Sequence, residues 1–76
     1  MMSKQITPEQ ITLQVNGKDQ SCRMGMSLPN LLEEIGMNPR LVAVEYNGEI
    51  LHRQFWGSTE LQMGDRLEIV TIVGGG

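Results

Sequence analysis

The sequence predicts an α+β domain: a mixed four- to five-stranded sheet with one main helix packed on one face. Three observations carry this expectation. Two Asn-Gly dipeptides, Asn16-Gly17 and Asn47-Gly48, each sit between runs with strand character. Between those hairpins lies a single amphipathic stripe of helical spacing. Near the C-terminus a β-branched run, "RLEIVTIV", offers one more strand.

The first hairpin is read from "ITLQVNGKDQSC". Ile11, Leu13 and Val15 alternate with Thr12 and Gln14, and Asn16-Gly17 follows at once. A type I′ turn needs positive φ at both central residues, and Asn-Gly is the pair that tolerates it best. Strands are therefore expected at about 11–16 and 18–24. The stretch "SLPNLLEEIG" follows. Ser27 suits an N-cap, Pro29 falls in the first turn where its missing N–H costs little, and Gly36 can end the helix in the left-handed region. Leu28, Leu31, Leu32 and Ile35 recur at i, i+3, i+4 and i+7, one apolar stripe that needs a sheet to cover it. Glu33 and Glu34 fall outside the stripe and read as a solvated face.

After the break at "NPR", the run "LVAVEYNGEIL" gives strand, Asn-Gly turn and strand. Val42, Val44 and Tyr46 share one face, and the charge of Glu45 marks the face it shares with Ala43 as the wet one. "HRQFWGSTELQMGD" reads as a loop with a short helical turn, and Met63-Gly64-Asp65 leads into the last strand. Two hairpins, a helix between them and a final strand entering the sheet centre beside the first make a β-grasp arrangement. Such a sheet has one helix-covered and one largely uncovered face. The boundaries expected are an N-terminal arm at 1–10, the β-grasp domain at 11–73 and a glycine tail at 74–76.

Composition removes several function classes. With 76 residues the chain is one domain with one modest core. The net charge is −3 and the six Lys and Arg are scattered, so no nucleic-acid footprint is expected. No apolar run approaches the roughly 20 residues of a membrane span, and "MMSKQITPEQ" lacks a signal peptide's apolar stretch. A cytoplasmic protein, monomeric when free, is expected. The lone Cys22 cannot pair within the chain and reads as a half-buried strand cysteine rather than a reactive thiol. With one His and one Cys no metal set can be completed, so no metal ligands are assigned.

The C-terminus carries the chemistry. If Glu68 faces solvent, Arg66, Val70 and Ile72 share its side, while Leu67, Ile69 and Thr71 point toward the helix. Val70, Ile72 and Ala43 would then form an apolar patch on the uncovered face, a candidate docking surface. Gly74, Gly75 and Gly76 follow. A carboxylate becomes an acyl donor only after activation, usually as an adenylate inside another enzyme's nucleotide pocket. A tail delivering it must be narrow and free in φ, which glycine alone provides. Three residues reach roughly 10 Å beyond the globular surface. Gly76 is the candidate site of modification, with Gly74 and Gly75 its flexible stalk, and no catalytic residue is assigned.

The stretch "VAVEYNGEIL", with Arg53 and Trp56, and then "GDRLEIVTIVGGG" resembles the ThiS family of thiamine-biosynthesis sulfur carriers, members of the ubiquitin-like β-grasp superfamily. The likeness runs over about residues 11–76. It implies that the Gly76 carboxylate is adenylated by a ThiF-type, E1-like adenylyltransferase consuming ATP, with no cofactor bound by the carrier itself. A sulfur donor such as a cysteine desulfurase system would then convert it to a thiocarboxylate, and a ThiG-type thiazole synthase would take the sulfur. The chain would be a carrier rather than an enzyme. His52 stands where the family commonly has proline, and Phe55 where a polar residue is expected, while Trp56 fits as a half-buried loop anchor. Alternatives on the same fold are a MoaD-type carrier for molybdopterin synthesis, a ubiquitin-like protein modifier and a non-catalytic interaction module. Against the MoaD type, Thr-Ile-Val stands here where that family usually has a proline-rich approach to its Gly-Gly.

Overall fold

A computed structural model of the chain describes residues 9–72. The expected arm at 1–10 falls outside that range except for Glu9 and Gln10, as do Val73 and the expected glycine tail at 74–76. Within it the order is β1 (Gln10–Val15), β2 (Lys18–Arg23), α1 (Leu28–Glu34), β3 (Val42–Tyr46), β4 (Glu49–Ile50) and β5 (Arg66–Thr71). Short 3₁₀ turns occupy Pro39–Leu41 and Arg53–Ser58. The five strands form one sheet in the order β2-β1-β5-β3-β4. Neighbours are antiparallel except β1 and β5, which run parallel, with Gln14 opposite Arg66 and Val15 opposite Leu67. This is the mixed β-grasp sheet with one main helix that the sequence predicts.

Both hairpins turn where expected. Asn16 and Asn47 take φ of 53° and 52°, each followed by a positive-φ glycine. Each asparagine also does something its dipeptide does not announce: its side chain reaches the last strand. The Asn16 Oδ1 accepts from the Ile69 backbone N–H at 2.7 Å and its Nδ2 donates to the Ile69 carbonyl at 3.2 Å. The Asn16 amide thus extends the parallel ladder one step after β1 has turned away. On the other side, the Asn47 Oδ1 accepts from the Arg66 N–H at 2.8 Å, and the Asn47 N–H donates to the Arg66 carbonyl at 2.8 Å.

The helix is short. Leu28, Leu31 and Leu32 are fully buried, Ile35 is half-buried, and Gly36 closes the end at φ 85°. Ser27 holds the extended N-cap conformation, but its side chain makes no capping bond. Packing of the leucine stripe on the sheet therefore carries the helix rather than its cap. Those leucines meet Ile11, Leu13, Val42, Val44, Leu67 and Ile69 from the sheet, with Cys22, Trp56 and Leu61 completing the core. Cys22 and Trp56, both expected half-buried, are buried.

The expected parity of β5 holds, but it does not translate into burial at the strand's last residue. Leu67 and Ile69 are buried and Val70 and Ile72 exposed, as the charge of Glu68 requires, but Thr71 is exposed as well. Thr71 pairs with Val42 on the helix side, yet it lies past the end of β1, whose register with β5 stops at Leu67. With β3 on one flank only, the last residues of β5 project beyond the hairpin.

Candidate functional site

The uncovered face is built by strand alternation. On β5 it takes Arg66, Glu68 and Val70. Opposite them β3 sets Ala43 against Val70 and Glu45 against Glu68, and β4 sets Ile50 against Glu45. Val70 is 59% exposed, Ile50 68% and Ile72 44%, while Ala43 is half-buried between them. Ala43, Val44, Glu45, Ile50, Glu68 and Val70 line a groove of about 240 Å³. The small side chain of Ala43 leaves the floor low between Val70 and Ile50. The site is apolar along its length and acidic across it, because Glu45 and Glu68 sit directly opposite one another. Like charges in that position oppose sheet formation, so neither carboxylate is placed there to stabilise the sheet.

The same face leads to the end of the described chain at Ile72. Beyond Thr71 the Ile72 N–H donates to the Leu41 carbonyl at 2.6 Å, the last backbone bond of the described chain. The segment receiving it is tied down by Arg53, whose guanidinium donates to the Pro39 carbonyl and, at 3.3 Å, to the Val42 carbonyl. Arg53 also stacks 4.6 Å above the Trp56 ring, and the indole N–H of Trp56 donates to the Leu51 carbonyl at 2.8 Å. Arg53 and Trp56 thus act together to hold the margin against which the described chain makes its last backbone bond. Ile72, Ile50, His52 and Arg53 line a shallower hollow beside it, of about 170 Å³.

At the opposite end of β5 lies a buried carboxylate. Asp65 accepts from the Tyr46 hydroxyl, from the Asn47 Nδ2 at 3.1 Å and from the Gln62 N–H at 2.8 Å. Burial, with the Asp65 carboxylate as acceptor and neighbouring charge, pushes the Tyr46 phenol up to about 12. Cys22 belongs to the helix side of the sheet, away from the groove. Burial and then the Glu34 carboxylate push its thiol up, the opposite of what a nucleophile needs. Among the described residues no three of His, Cys, Asp and Glu converge as metal ligands, and no helix is long and apolar enough to cross a membrane.

Of the residues singled out from sequence, Ala43, Val70 and Ile72 come together on one face, while Gly74, Gly75 and Gly76 lie outside the described range. Sequence reasoning missed Ile50, although the register of a two-residue Asn-Gly hairpin places it beside Glu45. It also missed the acidic pair itself, for which no local signal exists.

The chain matches the ThiS family over residues 13–76. It is 37% identical over 65 residues to the sulfur carrier protein ThiS of Bacillus subtilis, covering 84% of this chain and 98% of that one. It is 39% identical over 64 residues to a thiazole synthase of Paramagnetospirillum magneticum, covering 84% of this chain but 20% of that longer protein. The solved thiamine biosynthesis protein (ThiS) of Geobacter metallireducens superposes with a TM-score of 0.74 at 32% identity, covering 87% of this chain and all of the other. Fold, matched length and identity agree, and the chain belongs to the ThiS family of small sulfur carriers.

Proposed function

We propose that this chain carries sulfur as a thiocarboxylate on Gly76 and delivers it to the thiazole ring of thiamine. The observation that carries the reading is that the ThiS match runs through residue 76 and so takes in the three terminal glycines. Adenylation comes first. A ThiF-type, E1-like adenylyltransferase positions the Gly76 carboxylate to attack the α-phosphorus of ATP, forming the acyl adenylate and releasing pyrophosphate. A nucleophilic sulfur from a cysteine desulfurase system or similar donor then displaces AMP at the acyl carbon. Where that sulfur is the outer atom of a persulfide, the product is an acyl disulfide, and a second thiol of the donor system reduces its S–S bond, ending as a disulfide with the first and leaving the C-terminal thiocarboxylate. The chain supplies the acyl group and the docking surface while the partners supply the catalytic groups, so it is consumed and regenerated rather than acting as an enzyme.

The receiving partner is a ThiG-type thiazole synthase. A stretch similar to this chain forms a fifth of the thiazole synthase of Paramagnetospirillum magneticum, and a second such synthase, from Magnetococcus marinus, shares the feature. A carrier-like segment joined to a synthase supports a carrier and synthase that work in contact. In the free state the carrier is monomeric and cytoplasmic.

Intact mass decides the matter. After incubation with the activating enzyme, ATP and a sulfur source, the chain gains the mass difference of sulfur for oxygen. Deleting Gly75 and Gly76 abolishes that gain and leaves thermal unfolding nearly unchanged, since terminal residues of this kind bury little. A truncated chain that still accepted sulfur would end the carrier reading.

A further inference from the structure

Resting on the reading that this face docks the activating partner, we propose that the groove between β3, β4 and β5 recognises an apolar side chain flanked by arginine or lysine on that enzyme's surface. The apolar part of the argument is the wall of Val70, Ala43 and Ile50. The charged part is the register. Glu45 and Glu68 oppose one another across β3 and β5, and both line the groove. Arg66 lies on the same face, two residues before Glu68 at the opposite end of β5 from Val70. It leaves the groove net acidic. A cation brought by a partner meets two carboxylates at once, and its arrival relieves their mutual repulsion.

A second copy of the chain does not fit. Seating two such grooves face to face would bring Glu45 and Glu68 of each copy together, between molecules that each carry a net charge of −3. Reach restricts the occupant to an enzyme that handles the terminal carboxylate, and the activating enzyme is the first to do so. Gly76 lies six positions beyond Val70, a span of roughly 20 Å when fully extended. The enzyme whose nucleotide pocket receives the Gly76 carboxylate must therefore lie over or beside this groove while it acts.

The test is association kinetics by stopped flow with the cognate ThiF-type adenylyltransferase over a range of ionic strength. Glu45→Gln and Glu68→Gln are compared singly and together with the wild type, alongside Val70→Asp. The double glutamine variant is expected to associate roughly tenfold more slowly at low salt, the lower end of electrostatic steering, and to lose most of its salt dependence. Its melting temperature should stay level or rise, because the opposed like charges are gone. Slower association in a chain that is no less stable separates recognition from folding.

An unchanged rate and salt slope in the double variant overturns the cationic partner. Val70→Asp then reports on the underlying reading: weakened binding in that folded variant keeps the docking face, and wild-type binding removes it as well. Sedimentation of the wild-type chain as a dimer that Val70→Asp dissolves would also overturn the proposal, because the occupant would be a second copy.

Discussion

Replacing Asn16 with glycine isolates what its side chain contributes to the last strand. Asn16 has φ 53°, a conformation glycine adopts without strain, so the turn itself survives the change. What disappears is the pair of hydrogen bonds to Ile69, at 2.7 and 3.2 Å, which span 53 positions of sequence. Net contributions of about 0.5–1.5 kcal/mol per bond give about 1–3 kcal/mol lost. The greater freedom of glycine in the unfolded chain adds up to about 1 kcal/mol. For a domain of this size each kcal/mol shifts the melting temperature by about 4–8 °C, so a fall of about 4–30 °C is expected. Trp56 is the single tryptophan and is buried, so its fluorescence in urea reports the transition. Asn16→Asp keeps an acceptor for the Ile69 N–H but no donor for its carbonyl, and should fall between wild type and Asn16→Gly. A loss below about 0.5 kcal/mol for Asn16→Gly, typical of an indifferent surface site, would refute the claim that this side chain completes the ladder.

Two further outcomes follow from the core and the buried carboxylate. Leu67→Ala should cost about 2–5 kcal/mol in urea unfolding, the range for emptying a fully buried leucine site, against little for the neighbouring Val70→Asp; equal losses would mean the parity of β5 is misassigned. Tyr46 titrates near 10 in the unfolded chain and about 12 in the fold, so the stability it contributes is complete below pH 10 and is lost as pH rises toward 12. Denaturant midpoints across that window should fall more steeply in the wild type than in Tyr46→Phe. Parallel curves would count against a phenol held protonated by burial and Asp65.

What could be read from sequence is what short-range physics fixes. An Asn-Gly pair requires positive φ wherever it stands, and a glutamate in a strand names the wet face, so the hairpins and the alternation of Leu67, Ile69 and Val70 follow without coordinates. The exposure of Thr71 was not legible, because it depends on how far β1 runs beside β5, and strand alternation says nothing of where a neighbour ends. Asp65 looked like an ordinary turn residue. Its burial depends on donors from Tyr46 and Asn47, nearly twenty positions away, meeting it in three dimensions. The patch of Ala43, Val70 and Ile72 was legible from parity; its acidic pair was not, because opposition of Glu45 and Glu68 is a fact of register between strands far apart in the chain.

The placement of β5 suits the proposed role, in which a small domain must offer its C-terminal end without weakening itself. Its first half is bonded on both flanks, to β1 through Arg66 and Leu67 and to β3 along the antiparallel ladder. The Asn16 amide extends the β1 side as far as Ile69. Past Ile69 only the β3 side continues, through Val70 and Thr71 to the bond between Ile72 and Leu41. Hydrogen bonding and burial therefore decline together toward the C-terminus. The fall occurs over about three residues, because the core leucine and isoleucine and the exposed valine alternate on one strand. Under the proposed function, a partner gripping the chain beyond Ile69 would contact side chains that contribute little to the core, while Leu67 and Ile69 hold the sheet. The arginine-on-tryptophan contact at Arg53 serves the same division, fixing the Pro39–Val42 segment against which the departing strand makes its last bond.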